Sequence, residues 1–250
     1  MLGRTITALV LSGAPLLAQA PAAPTADELI AKYVEKIGGI QKIEAVKTLK
    51  RTGKFRGGGG FEAKFVQLSK RPDLVREEIT FQGLTGVNAW DGKTGWKIDP
   101  FQGKKDPEPL GEDELKDIIE DGVFDSQLIH YKEKGNTVEF AGAEPVEGSD
   151  TWKLKVTLKN GDVTNYYIDT EDFVPIKIEY KRMIRGAELE LFVMPGDYKA
   201  VDGWYIPHSF EQGRPGSSQR SSIVFEKIEA NVPMDDGLFR QPVAAAPAGK

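Results

Sequence analysis

The chain has 250 residues, with 38 acidic and 33 basic side chains, two histidines and no cysteine, for a formal net charge of −5. Without cysteine there are no disulfides, thiolate nucleophiles or cysteine metal ligands, so stability must come from a core that a chain of this length is able to build. Basic residues are interspersed with acidic ones and form no block, which argues against nucleic acid and anionic lipid surfaces as partners.

The first residues have the order of an export signal: Arg4, an apolar run from Ile6 to Leu17 interrupted by Ser12, Gly13 and Pro15, then Ala18-Gln19-Ala20 as a small-x-small cleavage site. A spanning helix needs about 20 apolar residues, and this run is shorter and contains proline. The expectation is a signal peptide over residues 1–20, cleaved after Ala20, and a soluble mature chain in the periplasm. Cleavage removes the single charge of Arg4, so the net charge moves from −5 to −6. An Ala/Pro linker over 21–25 follows. Residues 26–242 are expected to form one domain, and the Ala/Pro-rich residues 243–250 a disordered tail.

Thr25 precedes Ala26-Asp27-Glu28, the pattern of a capping box in which the hydroxyl and Glu28 each satisfy a free backbone N–H. Leu29, Ile30, Tyr33, Val34 and Ile37 then recur at helical spacing up to Gly38-Gly39, and a short second helix is predicted from Ile40 to Val46.

From Lys47 the period becomes two. Leu49, Arg51, Gly53 and Phe55 share one face of a first strand, and Gly57 to Gly60 turn the chain into a second at Phe61 to Lys70. Further strands are predicted at Leu74 to Phe81, Leu84 to Trp90 and, after the turn Asp91-Gly92-Lys93-Thr94, Gly95 to Asp99. Residues 100–135 read as an interruption holding one amphipathic helix. Leu115, Ile118 and Ile119 form its apolar side, and Glu112, Asp113, Glu114, Asp117 and Glu120 a negative, solvated one.

Period two then resumes at Trp152 to Leu158, turns at Asn160-Gly161, and continues through Val174 to Lys181, Glu188 to Val193, Trp204 to Phe210 and Arg220 to Ala230. Short turns between consecutive strands predict an antiparallel meander in which each strand pairs with its predecessor. With about ten or more strands such a sheet curls or closes.

Two helices offer too little apolar area to cover a sheet of this size. The expected fold is therefore mainly β with some α: a curved antiparallel sheet, an open half-barrel capped incompletely by helices, whose uncovered concavity is a candidate apolar ligand site. The candidate lining residues are Phe55, Phe65, Trp90, Trp96, Trp152, Leu154, Val156, Ile176, Ile178, Leu189, Leu191, Trp204, Ile206 and Phe210.

Ser69-Lys70-Arg71-Pro72-Asp73-Leu74, followed by Trp90-Asp91-Gly92-Lys93-Thr94-Gly95-Trp96 and Asp99-Pro100, resembles the KRPxL and DGKTxW pattern of the LolA-type periplasmic lipoprotein carriers. Asn231 to Phe239 is similar to that family's C-terminal strand exit. The resemblance implies a half-barrel with a helical lid over a cavity for acyl chains, with an inner-membrane donor complex and an outer-membrane acceptor as partners. It also implies that Arg71 holds the lid, with Leu115, Ile118 and Ile119 on the lid helix. The alternative for Arg71 is a rim cation paired with Asp73 or Glu77. Gly95 stands where a larger residue often lies in the family.

Catalytic and metal-binding patterns are absent from the sequence. His130 and His208 stand far apart and outside any metal-ligand spacing, and His208 shares a face with Trp204, Ile206 and Phe210 as a core histidine does. Gly57 to Gly60 lacks the Lys-Ser/Thr of a phosphate loop, and carboxylate pairs such as Glu77-Glu78 and Asp235-Asp236 have no setting that singles one out. No catalytic residue, metal or cofactor is expected. Two functions fit: a carrier of lipid or lipoprotein acyl chains, or a lipid-sensing or envelope-scaffold module that regulates a protein partner.

Overall fold

The computed structural model describes residues 23–184 and 186–242. The signal segment, the start of the linker and the tail from residue 243 lie outside the described residues. Among the described residues there are three α-helices, α1 (Ala26–Lys36), α2 (Ile40–Ala45) and α3 (Glu112–Asp121). The capping box of α1 is formed: the Glu28 amide donates to Thr25 Oγ1 at 3.2 Å, and the Thr25 amide donates to Glu28 Oε2 at 2.8 Å.

Thirteen strands follow in chain order: β1 (Thr48–Arg56), β2 (Glu62–Lys70), β3 (Leu74–Phe81), β4 (Leu84–Trp90), β5 (Gly95–Asp99), β6 (Lys104–Pro109), β7 (Thr137–Ala143), β8 (Thr151–Thr157), β9 (Val163–Asp169), β10 (Pro175–Ile184), β11 (Ala187–Val201), β12 (Trp204–Gly213) and β13 (Arg220–Ala230). Their turns are built as the sequence suggests. Asp91 accepts from the amides of Lys93 and Thr94, and the Asn160 side chain accepts from the Asp162 amide.

All thirteen strands form one antiparallel sheet in the order β6-β5-β4-β3-β2-β1-β13-β12-β11-β10-β9-β8-β7. The sheet is curved and open, with β6 and β7 as its two edges. This corrects the simple meander at one point. The strands β6 and β7, consecutive in the chain, lie at opposite edges, and β1 pairs instead with β13, as in Leu49 with Ala230 and Phe55 with Ile223. The chain crosses between the edges through α3 and residues 122–136.

A second correction concerns Pro107 and Pro109, which fall in the stretch 100–135 expected to interrupt the sheet. They belong to β6, an edge strand, where the missing amide of proline leaves no ladder bond unmade.

The main core gathers Leu29 and Tyr33 of α1, Ile37 at its C-terminal cap, Ile43 of α2, and Phe124, Leu128 and Ile129 of the crossing segment against Leu154, Val156, Tyr166, Ile168, Trp204 and Ile206 of the sheet. One end of the concavity is thus filled by the chain's own helices. A smaller core lies on the outer face, where Val87, Ala89 and Trp96 are covered by the chain after β13. Trp96 Nε1 donates to the Phe239 carbonyl at 2.7 Å, and Phe239 is fully buried. No helix among the described residues is long and apolar enough to cross a membrane.

Candidate ligand cavity

The concavity that the helices leave uncovered holds a main chamber of about 500 Å³. Its floor comes from β1, β2, β3 and β10 to β13, and its apolar wall includes Phe55, Phe65, Ile79, Ile178, Val193, Phe210, Ile223 and Phe225. A recess of about 290 Å³ adjoins it towards the filled end, lined by Tyr33, Phe124, Tyr198, Trp204 and Ile206. Val123 and Val163, 43% and 39% exposed, stand at the mouth of the main chamber. Exposed apolar side chains beside an apolar cavity make an entrance that a hydrocarbon chain enters without displacing tightly held water.

The helix α3 straddles this region. Glycines let it approach the sheet closely: a Cβ on Gly95 of β5 would stand 2.5 Å from Leu115 Cδ1, and one on Gly122 would stand 2.5 Å from Val75 of β3. Hence Gly95, which departs from the resembled pattern, is the seat of Leu115. Ile118 is buried, but Ile119 is 37% exposed and is corrected from an inward-facing residue to a surface one, because α3 presents only a narrow stripe to the sheet.

The acidic side of α3 is not merely solvated, a further correction. Glu114 pairs with Lys97 of β5 at 2.6 Å, Lys116 with Asp162 in the β8–β9 turn at 2.8 Å, and Asp117 and Asp121 with Arg182 of β10, both at 2.9 Å. The helix therefore ties the two arms of the sheet together by ion pairs.

Arg71, at the end of β2, reaches neither Asp73 nor Glu77. Its Nη1 and Nη2 donate to the two carboxylate oxygens of Asp125 at 2.7 and 2.6 Å, while Nε and Nη2 donate to the carbonyls of Val46 and Ile43, each at 2.8 Å. The guanidinium also lies 4.3 Å from the centre of the Phe124 ring. One side chain thereby joins α2 to the crossing segment. Such bidentate, charge-assisted bonds are among the strong ones, and Asp125 itself is buried.

Of the lining candidates, Phe55, Phe65, Ile178 and Phe210 border the main chamber, and Trp204 and Ile206 the recess. Leu154 and Val156 are consumed by the core under α1, and Trp152 packs edge-on against Phe140. Leu191 borders a separate depression with Arg214 and Arg220, and Leu189 precedes it near the strand end. Trp90 stands at the end of β4 with its indole N–H 3.4 Å from Asp73. Two candidates are on the wrong face. Trp96 points outward, since Gly95 beside it meets α3. Ile176 lies with Met194, Ser209 and Val224 on the outer surface, where the β9–β10 register slips between Pro175 and Lys177 and resets the alternation.

A polar row across the chamber floor was not legible as a unit in the sequence. Arg51 pairs in register with Gln67, and Gln67 with Glu77. Arg51 Nη1 donates to Gln67 Oε1 at 2.7 Å and to Ser69 Oγ at 3.3 Å, and Gln67 Nε2 donates to Glu77 Oε1 at 2.8 Å. Burial pulls Arg51 down to about 10, partly opposed by Glu77. Burial, with Asp121 adding repulsion, pushes Glu77 up to about 7. The available signal was Arg51 on the same face as Leu49 and Phe55, a cation in an otherwise apolar stripe. His208 is buried with its Nδ1 3.2 Å from the Ile206 carbonyl, and His130 lies outside, 2.9 Å from Glu44.

No protein-family model and no curated protein matches this chain. Solved structures do. The chain is similar to a LolA superfamily protein from Nitrosomonas europaea, with 15% identity over 87% of this chain and 98% of that one and a TM-score of 0.57. It is similar to a DUF1329 family protein from Desulfovibrio piger, with 14% identity over 86% and 96% and a TM-score of 0.58. A domain from Vibrio parahaemolyticus, whose name refers to outer-membrane lipoprotein sorting, gives 14% identity over 85% and 94% and a TM-score of 0.54. The likeness is one of fold: the chain has a LolA-like fold.

Proposed function

We propose that this protein is an exported, non-catalytic carrier that takes up an acyl chain of a lipid or lipoprotein and delivers it towards the outer membrane. The observation that carries this reading is the unequal filling of the concavity. Helices occupy one end, and the other is left as a chamber of about 500 Å³ walled by Phe55, Phe65, Phe210 and Phe225, with Val123 and Val163 exposed at its mouth. An adaptable aromatic and aliphatic wall suits a flexible chain, which needs enclosure more than directional bonds. The LolA-like fold supports the same reading, and the signal-like order of residues 1–20 supports a periplasmic setting.

In this proposal Arg71 biases the crossing segment and α3 towards closure. Entry and release require α3 to shift, and two of the ion pairs that hold it, Glu114–Lys97 and Lys116–Asp162, are partly exposed and oppose the shift only weakly. Donor and acceptor would be membrane complexes that exchange the cargo with the carrier.

The test is native mass spectrometry of protein purified from the cell envelope without detergent, followed by incubation with acceptor vesicles. A stoichiometric acylated ligand that moves to the vesicles is the expected result. Protein that neither carries nor takes up any acylated ligand would overturn the reading. Ligand that stays bound while a protein partner is captured would replace carriage by lipid sensing.

A further inference from the structure

We propose that the chamber holds a headgroup subsite, in which Arg51 receives the anionic head of a single-tailed amphiphile whose chain runs along Phe55, Phe65, Phe210 and Phe225. This rests on the acyl-chain reading above and goes beyond it by naming the ligand's charge and the residue that selects it.

The argument begins with how few of its donors Arg51 uses. A guanidinium carries five N–H donors in a planar fork. The hydrogen bonds that Arg51 makes within the protein leave from Nη1 alone, to the neutral side chains of Gln67 and Ser69. Among the described residues, no carboxylate lies within 4.0 Å of Arg51, and Nε and Nη2 donate to no protein acceptor. The nearest carboxylate in the row, Glu77, is separated from it by Gln67, whose amide is already committed to both neighbours.

The other cations of the chamber wall, Lys181 and Arg182, are different: Lys181 pairs with Glu188 at 2.9 Å. Arg182 is matched by Asp117 and Asp121. Arg51 is therefore the cation in this wall whose charge the protein leaves unmatched at contact distance.

Its position fits a ligand site. Arg51 borders both the main chamber and the recess, so its accessible surface opens into them and not to the outside of the molecule. Phe55 stands four residues on along β1 and on the same face, Phe65 is across in β2 and Phe225 in β13, giving an apolar wall that begins beside the guanidinium. A fork of this shape matches a carboxylate or a phosphate monoester with two parallel hydrogen bonds. The modest volume of the chamber favours one chain over several. A buried charge is costly unless paired, and an anionic head supplies the pair that the sheet does not.

The experiment measures binding of four probes of equal chain length to the full-length mature protein at pH 8, below their micellar concentrations: palmitate, hexadecyl phosphate, hexadecanol and hexadecyltrimethylammonium. At least one anion should bind about tenfold or more tighter than hexadecanol, the effect of one charge-assisted hydrogen bond. The ammonium should bind no tighter than the alcohol. Comparing palmitate with hexadecyl phosphate distinguishes a fatty acid from a phosphate-bearing lipid. In Arg51→Gln the anion preference should fall to within about threefold, with hexadecanol affinity retained; the threefold margin reflects the usual context dependence of such effects.

Equal binding of anion and alcohol by the unaltered protein, or a preference that survives in Arg51→Gln, would overturn the subsite while leaving acyl-chain binding intact. Failure of all four probes would overturn both. Should Arg51→Gln not fold, the unaltered protein still decides the matter through the anion, alcohol and ammonium comparison.

Discussion

The two ends of the concavity belong to one sheet and share its alternation, yet they have opposite fates. At the filled end Ile43, Leu128 and Ile168 are no more than 1% exposed, and α1, α2 and the crossing segment complete a dry core. At the open end the wall is also apolar but includes Arg51, Gln67 and Glu77, and α3 reaches it with the acidic residues Glu120 and Asp121 rather than with an apolar stripe. A helix that laid an apolar face on this row would bury Arg51 without a carboxylate and Glu77 without a cation at contact distance, at a cost of several kcal/mol. Polar residues in an inner face thus keep part of a concavity open, as surely as apolar ones close the rest.

The sharpest way to break this contrast is Arg71→Leu. It leaves Asp125 buried without its cation and frees the Ile43 and Val46 carbonyls, so stability should fall by about 3–5 kcal/mol. Chemical denaturation measures this, and a loss below about 1 kcal/mol would mean that the crossing segment is held by packing alone.

A smaller effect separates the two ends directly. Ile43→Ala should cost about 2–4 kcal/mol because it opens a void in a closed core, without altering ligand binding. Phe55→Ala, in the open chamber, should cost about 1 kcal/mol and instead weaken binding of a fluorescent acyl probe, since water already reaches its site. Equal destabilisation by both would show that the chamber is closed in solution.

The smallest effect is one of pH. Glu77 is raised in the folded protein to about 7, by burial and by Asp121, with Arg182 and Arg51 opposing. A carboxyl with a raised folded value binds more protons folded than unfolded between about pH 4.5 and 7, so its contribution favours folding at low pH and is lost as pH rises through 7. Glu77→Gln should therefore be the more stable protein at pH 8, by on the order of 1–2 kcal/mol, and the difference should shrink towards pH 5. Melting temperatures across that range test it, and a Glu77→Gln protein that loses stability at pH 8 would refute the direction.

Much of the local structure was legible because its causes are local. The strands at Leu74–Phe81, Leu84–Trp90, Gly95–Asp99 and Arg220–Ala230 end where turn residues and broken alternation place them. The Thr25 capping box needs only a hydroxyl and a glutamate three residues apart. What failed was assignment across distance: Trp96 alternates as regularly as Phe55, but its face depends on where α3 and the chain after β13 settle. The edge strand β6 was hidden by prolines that are tolerated only because nothing pairs beyond it.

By itself, then, the sequence determined a large curved antiparallel sheet with too little helix to cover it, since period, turn chemistry and apolar area are properties of neighbouring residues. Only the tertiary structure decided that β1 closes onto β13, that Arg71 meets Asp125 across 54 residues, and that Arg51, Gln67 and Glu77 form one row. Each of these depends on strand register and on which segment reaches the concavity, and both are set by the packing of parts that are remote in the chain.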